Sequence, residues 1–280
     1  MRRRPIIHAA ALLALALLTP THALAQRAPS DGPMTAPDMP DGLLRAISAE
    51  YLTDEERREM RVRHGLWTEE DLEHPPSRAR AALIAGVYDD PVFGNDAVDP
   101  VLRAEAAVHR GAYEEALGLL AGGSSLRAAR LRARALEGLG RFEEANRAID
   151  PVVSNLMRRT QEDADALVEG VRALIIRARL EGTPAEDYRR MLDLLARAHQ
   201  DLDRFNWRAM ITEAELLFDK DAPSEAQKAA IRALSMNPAL ARGWKLVGRS
   251  AVNSFDVDRV ERIADRLDAL ERRLDPSADR

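Results

Sequence analysis

The chain has no cysteine, and only 4% of its 280 residues are aromatic. The absence of cysteine excludes disulfide bonds and also a lipoprotein anchor attached through a cysteine sulfur. Because aromatic side chains are scarce, the interior has to be built from Ala, Leu, Val and Ile, a composition that favours close contacts between helices. No long stretch alternates apolar and polar residues, as a half-buried strand would. These absences predict an all-helical protein.

The sequence motifs of several enzyme classes are missing as well. No Gly-x-x-x-x-Gly-Lys-Ser/Thr phosphate loop is present, and the Gly-Gly-Ser-Ser stretch at residues 122–125 is predicted to form a helix boundary. A Gly-x-Ser-x-Gly nucleophile elbow is also absent. The formal net charge of −5 argues against general nucleic-acid binding. We therefore predict that the chain is not an enzyme and has no catalytic residues, no cofactor and no metal.

Histidine and acidic side chains occur together between residues 43 and 100. His64 and His74 flank a group of acids, but their spacing of ten residues fits no usual zinc signature. The acidic loop at residues 89–99 lacks the alternating oxygen ligands, central glycine and terminal glutamate of a calcium-binding hand. Capping and turn roles are the simpler prediction for both groups. An enzyme or ligand-binding module in residues 43–100 is the alternative.

The first 25 residues have the pattern of a cleavable signal peptide. Three arginines at residues 2–4 precede an apolar run at residues 6–18, and Ala23-Leu24-Ala25 supplies a cleavage signal before Gln26. The run is shorter than the roughly 20 residues that a membrane-spanning helix needs. We therefore expect an exported chain, periplasmic or secreted, without a transmembrane segment. Loss of the three arginines would change its net charge from −5 to −8.

Residues 26–42 are predicted to form a disordered leader, because they contain four prolines and no apolar periodicity. A helical extension is expected to follow at residues 43–100. Thr53 and Glu56 have the spacing of a capping box, and Thr68 marks another helix start. Since this extension shows no repeat register, it is a candidate cap for the N-terminal end of the helices after it.

The clearest internal repeat lies in residues 207–275, where six apolar or small residues recur after 34 positions. The recurring pairs are Met210 and Trp244, Ala214 and Gly248, Leu217 and Ala251, Ala226 and Val260, Ala230 and Ala264, and Ala233 and Leu267. In the second copy a bulky Trp244 precedes a small Gly248 by four residues. This pattern resembles the tetratricopeptide repeat, a helix-turn-helix unit of 34 residues whose small residues let helices pack closely.

Earlier units depart from this length. Residues 111–116 and 140–145 are near copies at a spacing of 29, and each has the Gly, aromatic and Ala expected at the turn between two packed helices. Residues 160–202 carry an apolar stripe that predicts a divergent helical pair, with a break at residues 182–184. A final helix is expected over residues 256–274, as a solvent-facing end cap.

The resemblance implies an all-α fold, an α-solenoid of stacked helical hairpins over residues 101–275 with a short tail at 276–280. Stacked hairpins bury one continuous core and enclose a concave groove. In the family that this chain resembles, the first helix of each hairpin lines the groove, and partner proteins bind there. The expected function is therefore a non-enzymatic scaffold for protein–protein interaction.

Basic residues recur on the helix faces that the resemblance places in the groove. Spacings of three and four residues put them on one side of each first helix. The predicted partner-binding residues are Arg127, Arg130, Arg134, Arg242, Lys245, Arg249 and Asn253. Because guanidinium groups pair with carboxylates through two hydrogen bonds, an acidic peptide or protein is the expected partner. The alternative is a solvated arginine-rich face in salt bridges with nearby Glu and Asp.

Overall fold

The computed structural model describes residues 34–158, 162–182 and 185–274. Within these ranges the chain has fourteen α-helices, one short 3-10 helix and one π-helical turn, and no strand. The all-helical prediction is therefore confirmed for the described part of the chain. The predicted signal peptide, residues 26–33 of the leader and the tail at 276–280 lie outside the described residues.

Four short helices form the N-terminal segment, which we define as residues 41–99. They are α1 (Asp41–Ile47), α2 (Asp54–Arg63), α3 (Glu69–Glu73) and α4 (Pro75–Ala85), followed by the 3-10 helix Pro91–Gly94. Thr53 and Thr68 complete capping boxes with Glu56 and Asp71 at the starts of α2 and α3, as predicted. Their hydroxyls accept N–H groups that the first helical turn leaves unpaired.

Ten further helices follow in pairs along the chain. They are α5 (Pro100–Arg110), α6 (Tyr113–Leu119), α7 (Leu126–Gly138), α8 (Phe142–Arg158), α9 (Ala164–Glu181), α10 (Ala185–Arg197), α11 (Trp207–Asp219), α12 (Pro223–Met236), α13 (Ala241–Asn253) and α14 (Val257–Arg272). Each odd-numbered helix packs against the even-numbered helix after it, which makes five hairpins. The odd-numbered helices from α5 to α13 also contact one another in sequence, so they form a layer.

The bounds of the last two hairpins follow the 34-residue spacing seen in the sequence. Helices α13 and α14 begin 34 residues after α11 and α12. The turns between the helices repeat as well, because Asp221 and Phe255 both have positive φ values, 59° and 57°. Trp244 packs in the core at 1% exposure, and its indole N–H donates to the oxygen of Pro238 at 3.0 Å.

The hairpins at residues 100–158 are shorter, as their 29-residue spacing predicts. Gly111 and Gly140 both adopt the left-handed conformation where α5 and α7 end. Tyr113 packs over Gly138 of the next hairpin, so closely that a Cβ there would lie 2.4 Å from the ring. Its counterpart Phe142 is 55% exposed. Phe142 is therefore not packed on the next hairpin as Tyr113 is.

The divergent unit consists of α9 and α10. The carboxylate of Asp163 accepts the N–H of Asp165 at the start of α9, whereas the first residues predicted for this helix lie outside the described ranges. The apolar stripe of α9 forms a core with Met191 and Leu195 of α10. Helix α9 ends at Glu181, next to the predicted break.

The N-terminal segment lies against both the first and the last hairpin, since α4 contacts α5 as well as α13 and α14. The side-chain N–H groups of Trp207 and Asn237 donate to the backbone oxygen of Arg63, at 2.8 and 3.0 Å. Gly65 permits this approach, because its φ is +73° and a Cβ there would lie 2.3 Å from Oδ1 of Asn237. The segment therefore bridges the two ends of the hairpin series and is more than a cap on the first one.

Residues 34–40 belong to the predicted disordered leader but contact the last hairpin. The N–H of Met34 donates to the oxygen of Arg262 at 3.1 Å. Met34 and Ala36 also pack against the main core. Residues 34–40 therefore lie against the last hairpin, and the disorder predicted for the leader stays a prediction.

Candidate functional sites

Acidic and basic side chains alternate across the layer of odd-numbered helices. Glu105 of α5 lies 3.7 Å from Arg130 of α7. Arg130 and Arg208 of α11 donate to different oxygens of the Glu169 carboxylate on α9. Arg130 and Glu169 are only 7% and 4% exposed. We call these four residues the inner network, and they tie together four successive odd-numbered helices.

Further ion pairs extend the inner network at both ends. Arg127 pairs with Glu105, and Arg242 of α13 donates to Glu215 of α11 through Nε at 2.8 Å. Asp165 lies 3.4 Å from Arg208 and 3.8 Å from Arg63 of α2. The alternation of charges thus reaches from the last hairpin to the N-terminal segment.

The arginines keep the buried acids of the network ionised. Burial alone would raise the pKa of Glu169, but the guanidinium groups of Arg130, Arg208 and Arg172 outweigh it and lower this pKa to about 2. The pKa of Glu105 is likewise well below its ordinary value, because Arg127 and Arg130 outweigh the effect of burial. A charge-assisted network of this kind holds the helices in register.

Two cavities of about 250 and 310 Å³ lie along this network. Cavity A, the smaller one, is lined by Arg63, Leu83, Ile84, Leu102, Asp165, Trp207, Arg208 and Leu240, among others. Cavity B is lined by Tyr113, Arg130, Leu131, Ile175, Ile176, Thr212 and Glu215, among others. The two share four lining residues, Glu105, His109, Arg172 and Arg242.

Each cavity has an ion pair with exposed side chains on its lining. Glu59 and Arg80 pair at 2.9 Å across α2 and α4, and both line cavity A. Arg134 and Arg179 line cavity B and pair with the carboxylate of Glu137, at 2.6 and 2.7 Å. Since these side chains reach solvent, they mark where the cavities open.

Arg172 stands on the wall between the cavities without a carboxylate partner in the described part of the chain. Its Nε donates to the hydroxyl of Thr212 at 3.0 Å. Burial, together with the neighbouring Arg242 and Arg130, lowers the pKa of Arg172 to about 9. Arg172 therefore stays positively charged at neutral pH, amid other cations.

His109 faces the same wall and stacks on Tyr88, with ring centroids 4.2 Å apart and planes inclined by 8°. Its ring is accessible from the cavities, yet protein atoms surround it closely. This environment, reinforced by the charge of Arg242, lowers the pKa of His109 to about 4. His109 is therefore neutral at pH 7 and adds no further positive charge.

Four of the predicted partner-binding residues belong to this inner region. Arg127, Arg130, Arg134 and Arg242 each pair with a carboxylate of the same chain. The alternative interpretation was a solvated arginine-rich face in salt bridges. Its salt bridges are present for all four residues, but Arg130 is not solvated, since it is only 7% exposed.

The other three, Lys245, Arg249 and Asn253, line a separate groove between α13 and α14. This terminal groove has a volume of about 580 Å³ and an apolar floor made by Phe218, Gly248, Val252, Val260, Ile263, Ala264 and Leu267. Arg249 lies over the ring of Phe218, 3.9 Å from its centroid. Lys245 and Arg249 are exposed and have no carboxylate within salt-bridge distance in the described residues.

Histidines and acids of the N-terminal segment have local structural roles. His64 is buried, its ring N–H at Nδ1 donates to the oxygen of Met236 at 2.9 Å, and burial lowers its pKa. His74 contacts the hydroxyl of Ser77 at 3.1 Å. Across the described ranges, no group of three or more His, Cys, Asp or Glu is arranged to hold a metal ion.

The acidic loop after α4 has the turn and capping contacts predicted for it. Asp90 accepts the N–H of Val92, and Asp99 accepts the N–H of Val101 at the start of α5. Asp90 also forms an ion pair with Arg78 at 3.1 Å. Asp90 and Asp99 are therefore engaged in turn, cap and ion-pair contacts within the chain.

Glu169 and Arg172 are among the site residues that sequence reasoning missed, as are Glu105 and Arg208 of the inner network. Glu169 and Arg172 both lie within the apolar stripe of α9, next to Val168 and Val171. The sequence does contain a signal for this site, namely two charges three residues apart within an apolar stripe. Buried charges are retained only with partners or a function.

No helix within the described residues is long and apolar enough to cross a membrane. No protein-family model matches the chain, and no curated protein matches it either.

Proposed function

We propose that the chain is a non-enzymatic, exported scaffold for protein–protein interaction, built as an α-solenoid of the tetratricopeptide-repeat type. Support for the repeat type comes from the 34-residue spacing of both helix starts and turn conformations in the last two hairpins. Support for export comes from the charged, apolar and small-residue order of residues 1–25. The periplasm or the extracellular medium is its proposed location.

The observation that carries the interaction proposal is the composition of the terminal groove. An apolar floor is open to solvent there, and Val252, Phe255 and Val257 beside it are exposed by 57, 90 and 53%. Exposed apolar patches rimmed by polar residues are typical of protein interaction sites. Lys245 and Arg249 give the rim a positive charge that no carboxylate in the described residues pairs with.

This chemistry fits an acidic amphipathic helix of a partner protein. Its apolar side chains would occupy the floor, as in other helix-in-groove complexes. Its carboxylates would meet Lys245 and Arg249, and the amide of Asn253 would accept or donate one hydrogen bond at the end of the groove. The four inner arginines are less suited to this task, because binding there would require breaking ion pairs already made.

A designed peptide pair tests the proposal without knowledge of the natural partner. One labelled helical peptide carries a leucine face and a glutamate face, and the other has lysine in place of glutamate. We expect fluorescence anisotropy to show saturable binding of the acidic peptide only. Because the attraction depends on opposite charges, the Lys245→Glu/Arg249→Glu variant should bind that peptide about tenfold or more weakly. Added salt should also weaken the binding.

A matched control carries the same change in net charge elsewhere. Arg189 and Arg190 are exposed on α10, away from the groove residues, so the Arg189→Glu/Arg190→Glu variant should bind as the wild type does. Equal losses in both variants would show a nonspecific charge effect and overturn the proposal. So would self-association of the wild type that Lys245→Glu/Arg249→Glu abolishes, because the groove would then bind a second copy.

A further inference from the structure

The wall between cavities A and B has more positive than negative charge. Arg172 and Arg242 face Glu105 there, and His109 is uncharged. Arg242 is already paired with Glu215, and Glu105 is paired with Arg127. Arg172 is thus the cation on this wall without a carboxylate partner in the described residues.

Glu169 cannot supply the missing partner. It is the carboxylate with the strongest influence on Arg172. Yet its two oxygens accept from Arg130 and Arg208, which occupy it on both sides. The Nε of Arg172 is held by Thr212, so the two terminal nitrogens of the guanidinium remain to bind an anion.

Cavity A combines this cation with an apolar wall. Leu83, Ile84, Leu102, Trp207 and Leu240 line it, and Glu59 and Arg80 stand at its exposed side. Its volume of about 250 Å³ is below the roughly 300–1,000 Å³ of pockets for drug-sized ligands. A ligand in cavity A would therefore be small, with one anionic end and one apolar end.

We propose that cavity A binds a small organic carboxylate, with the carboxylate on the guanidinium of Arg172 and the apolar part against Trp207 and the leucines. A planar guanidinium offers a carboxylate two parallel hydrogen bonds, and Arg172 lines cavity A. Binding would also give Arg172 the direct carboxylate partner that it lacks among the described residues. This site is distinct from the terminal groove and does not depend on the scaffold function.

Isothermal titration of the full chain with hexanoate tests the site, with hexanamide as the neutral analogue of the same size. Ionic strength is held constant with sodium chloride, so that general salt effects cancel. We expect saturable heat with hexanoate and none with hexanamide. Saturable binding of both compounds, or of neither, would overturn the proposal.

Three variants locate the binding. Arg172→Gln should weaken hexanoate at least tenfold, whereas Arg172→Lys keeps the charge and should weaken it less. Arg179→Gln removes an arginine that pairs with Glu137 at the opening of cavity B and should leave the affinity unchanged. Unaltered affinity in Arg172→Gln would show that hexanoate binds elsewhere and would overturn the proposal.

A measurement on the wild type covers the case in which Arg172→Gln does not fold. In nitrogen-15 NMR spectra the arginine Nε–H signals are observed directly, and the signal missing from Arg172→Lys belongs to Arg172. We expect hexanoate to shift this signal in the wild type and hexanamide to leave it in place. A signal that hexanoate does not move would overturn the proposal.

Discussion

The inner network and the terminal groove are both rich in arginine, yet their arginines have different surroundings. Around the inner network, Glu105, Glu169 and Glu215 face Arg127, Arg130, Arg208 and Arg242 from neighbouring helices. Around the terminal groove, Lys245 and Arg249 face apolar side chains and solvent. Basic residues at the same helical spacing therefore hold helices together in the inner network, whereas at the terminal groove they present an exposed positive charge to a partner. What decides is whether an adjacent helix places a carboxylate opposite the basic side chain.

Loss of the Glu169 charge should have the largest effect on the inner network. Glu169→Gln keeps the size of the side chain but leaves Arg130 and Arg208 buried without their common anion. We expect the free energy of unfolding to fall by about 3–5 kcal/mol, the usual cost of breaking a buried ion pair from one side. Urea unfolding followed by circular dichroism measures this change.

An exposed ion pair is the matched control for Glu169. Glu115 pairs with Arg110 at 2.9 Å and is half exposed, so Glu115→Gln should cost only about 0–1 kcal/mol. The pH dependence adds a second criterion. The pKa of Glu169 is about 2 in the folded chain and 4.5 when unperturbed, so its stabilisation is present above pH 4.5 and is lost as the pH falls toward 2. The difference between wild type and Glu169→Gln should shrink over that range.

Docking of the N-terminal segment should make the next largest contribution to the free energy of unfolding. Gly65→Ala forces a side chain into the left-handed region and toward Asn237 and Ala239. Backbone strain alone should cost about 1–3 kcal/mol, and exchange of the amide protons of Trp207 and its neighbours should accelerate. Unchanged unfolding and exchange would show that the segment does not depend on this close contact.

Gly118→Ala serves as the control for Gly65→Ala. Gly118 lies inside α6, and nothing lies within 4 Å of a Cβ placed on it. Alanine is preferred over glycine in a helix by about 1 kcal/mol, so this variant should be as stable as the wild type or more stable. If Gly65→Ala lowers the stability and Gly118→Ala does not, the loss in Gly65→Ala comes from its local geometry and not from the added methyl group as such.

Removal of the groove cations should have the smallest effect on stability. The Lys245→Ala/Arg249→Ala variant loses only a contact of Arg249 with the ring of Phe218, which is worth about 0.5–1 kcal/mol at an exposed site. Thermal unfolding should therefore change little, whereas binding of the acidic peptide should be lost. A loss of stability as large as that of Glu169→Gln would remove the distinction between the two surfaces.

Local features of this fold are predictable from its sequence. The capping boxes at Thr53 and Thr68 and the 34-residue spacing of α11 to α14 depend on neighbouring residues and on helical periodicity, both of which are visible in a linear pattern. The contact between Arg63 and Trp207 joins residues 144 positions apart. Periodicity carries no information about such pairs.

The candidate sites are predictable only in part for the same reason. Helical spacing places Arg130 and Arg249 on comparable faces, but it does not reveal that Glu169 faces the one and Phe218 the other. Glu169 and Arg172 were missed because charges within an apolar stripe cannot be interpreted until their neighbours from α7, α11 and α13 are known. The significance of Arg172 comes from the absence of a carboxylate partner among the described residues, which is a three-dimensional property.

The bridge formed by α4 between the first and last hairpins also limits how the chain can evolve and fold. An open series of repeats tolerates duplication or deletion of a unit, because each unit contacts only its neighbours. Here a sixth hairpin would separate α5 from α13 and leave α4 unable to reach both. The contacts of α4 with the first and the last hairpin therefore fix how many hairpins lie between them. Folding should also be all-or-none, since the N-terminal segment stabilises both the first and the last hairpin.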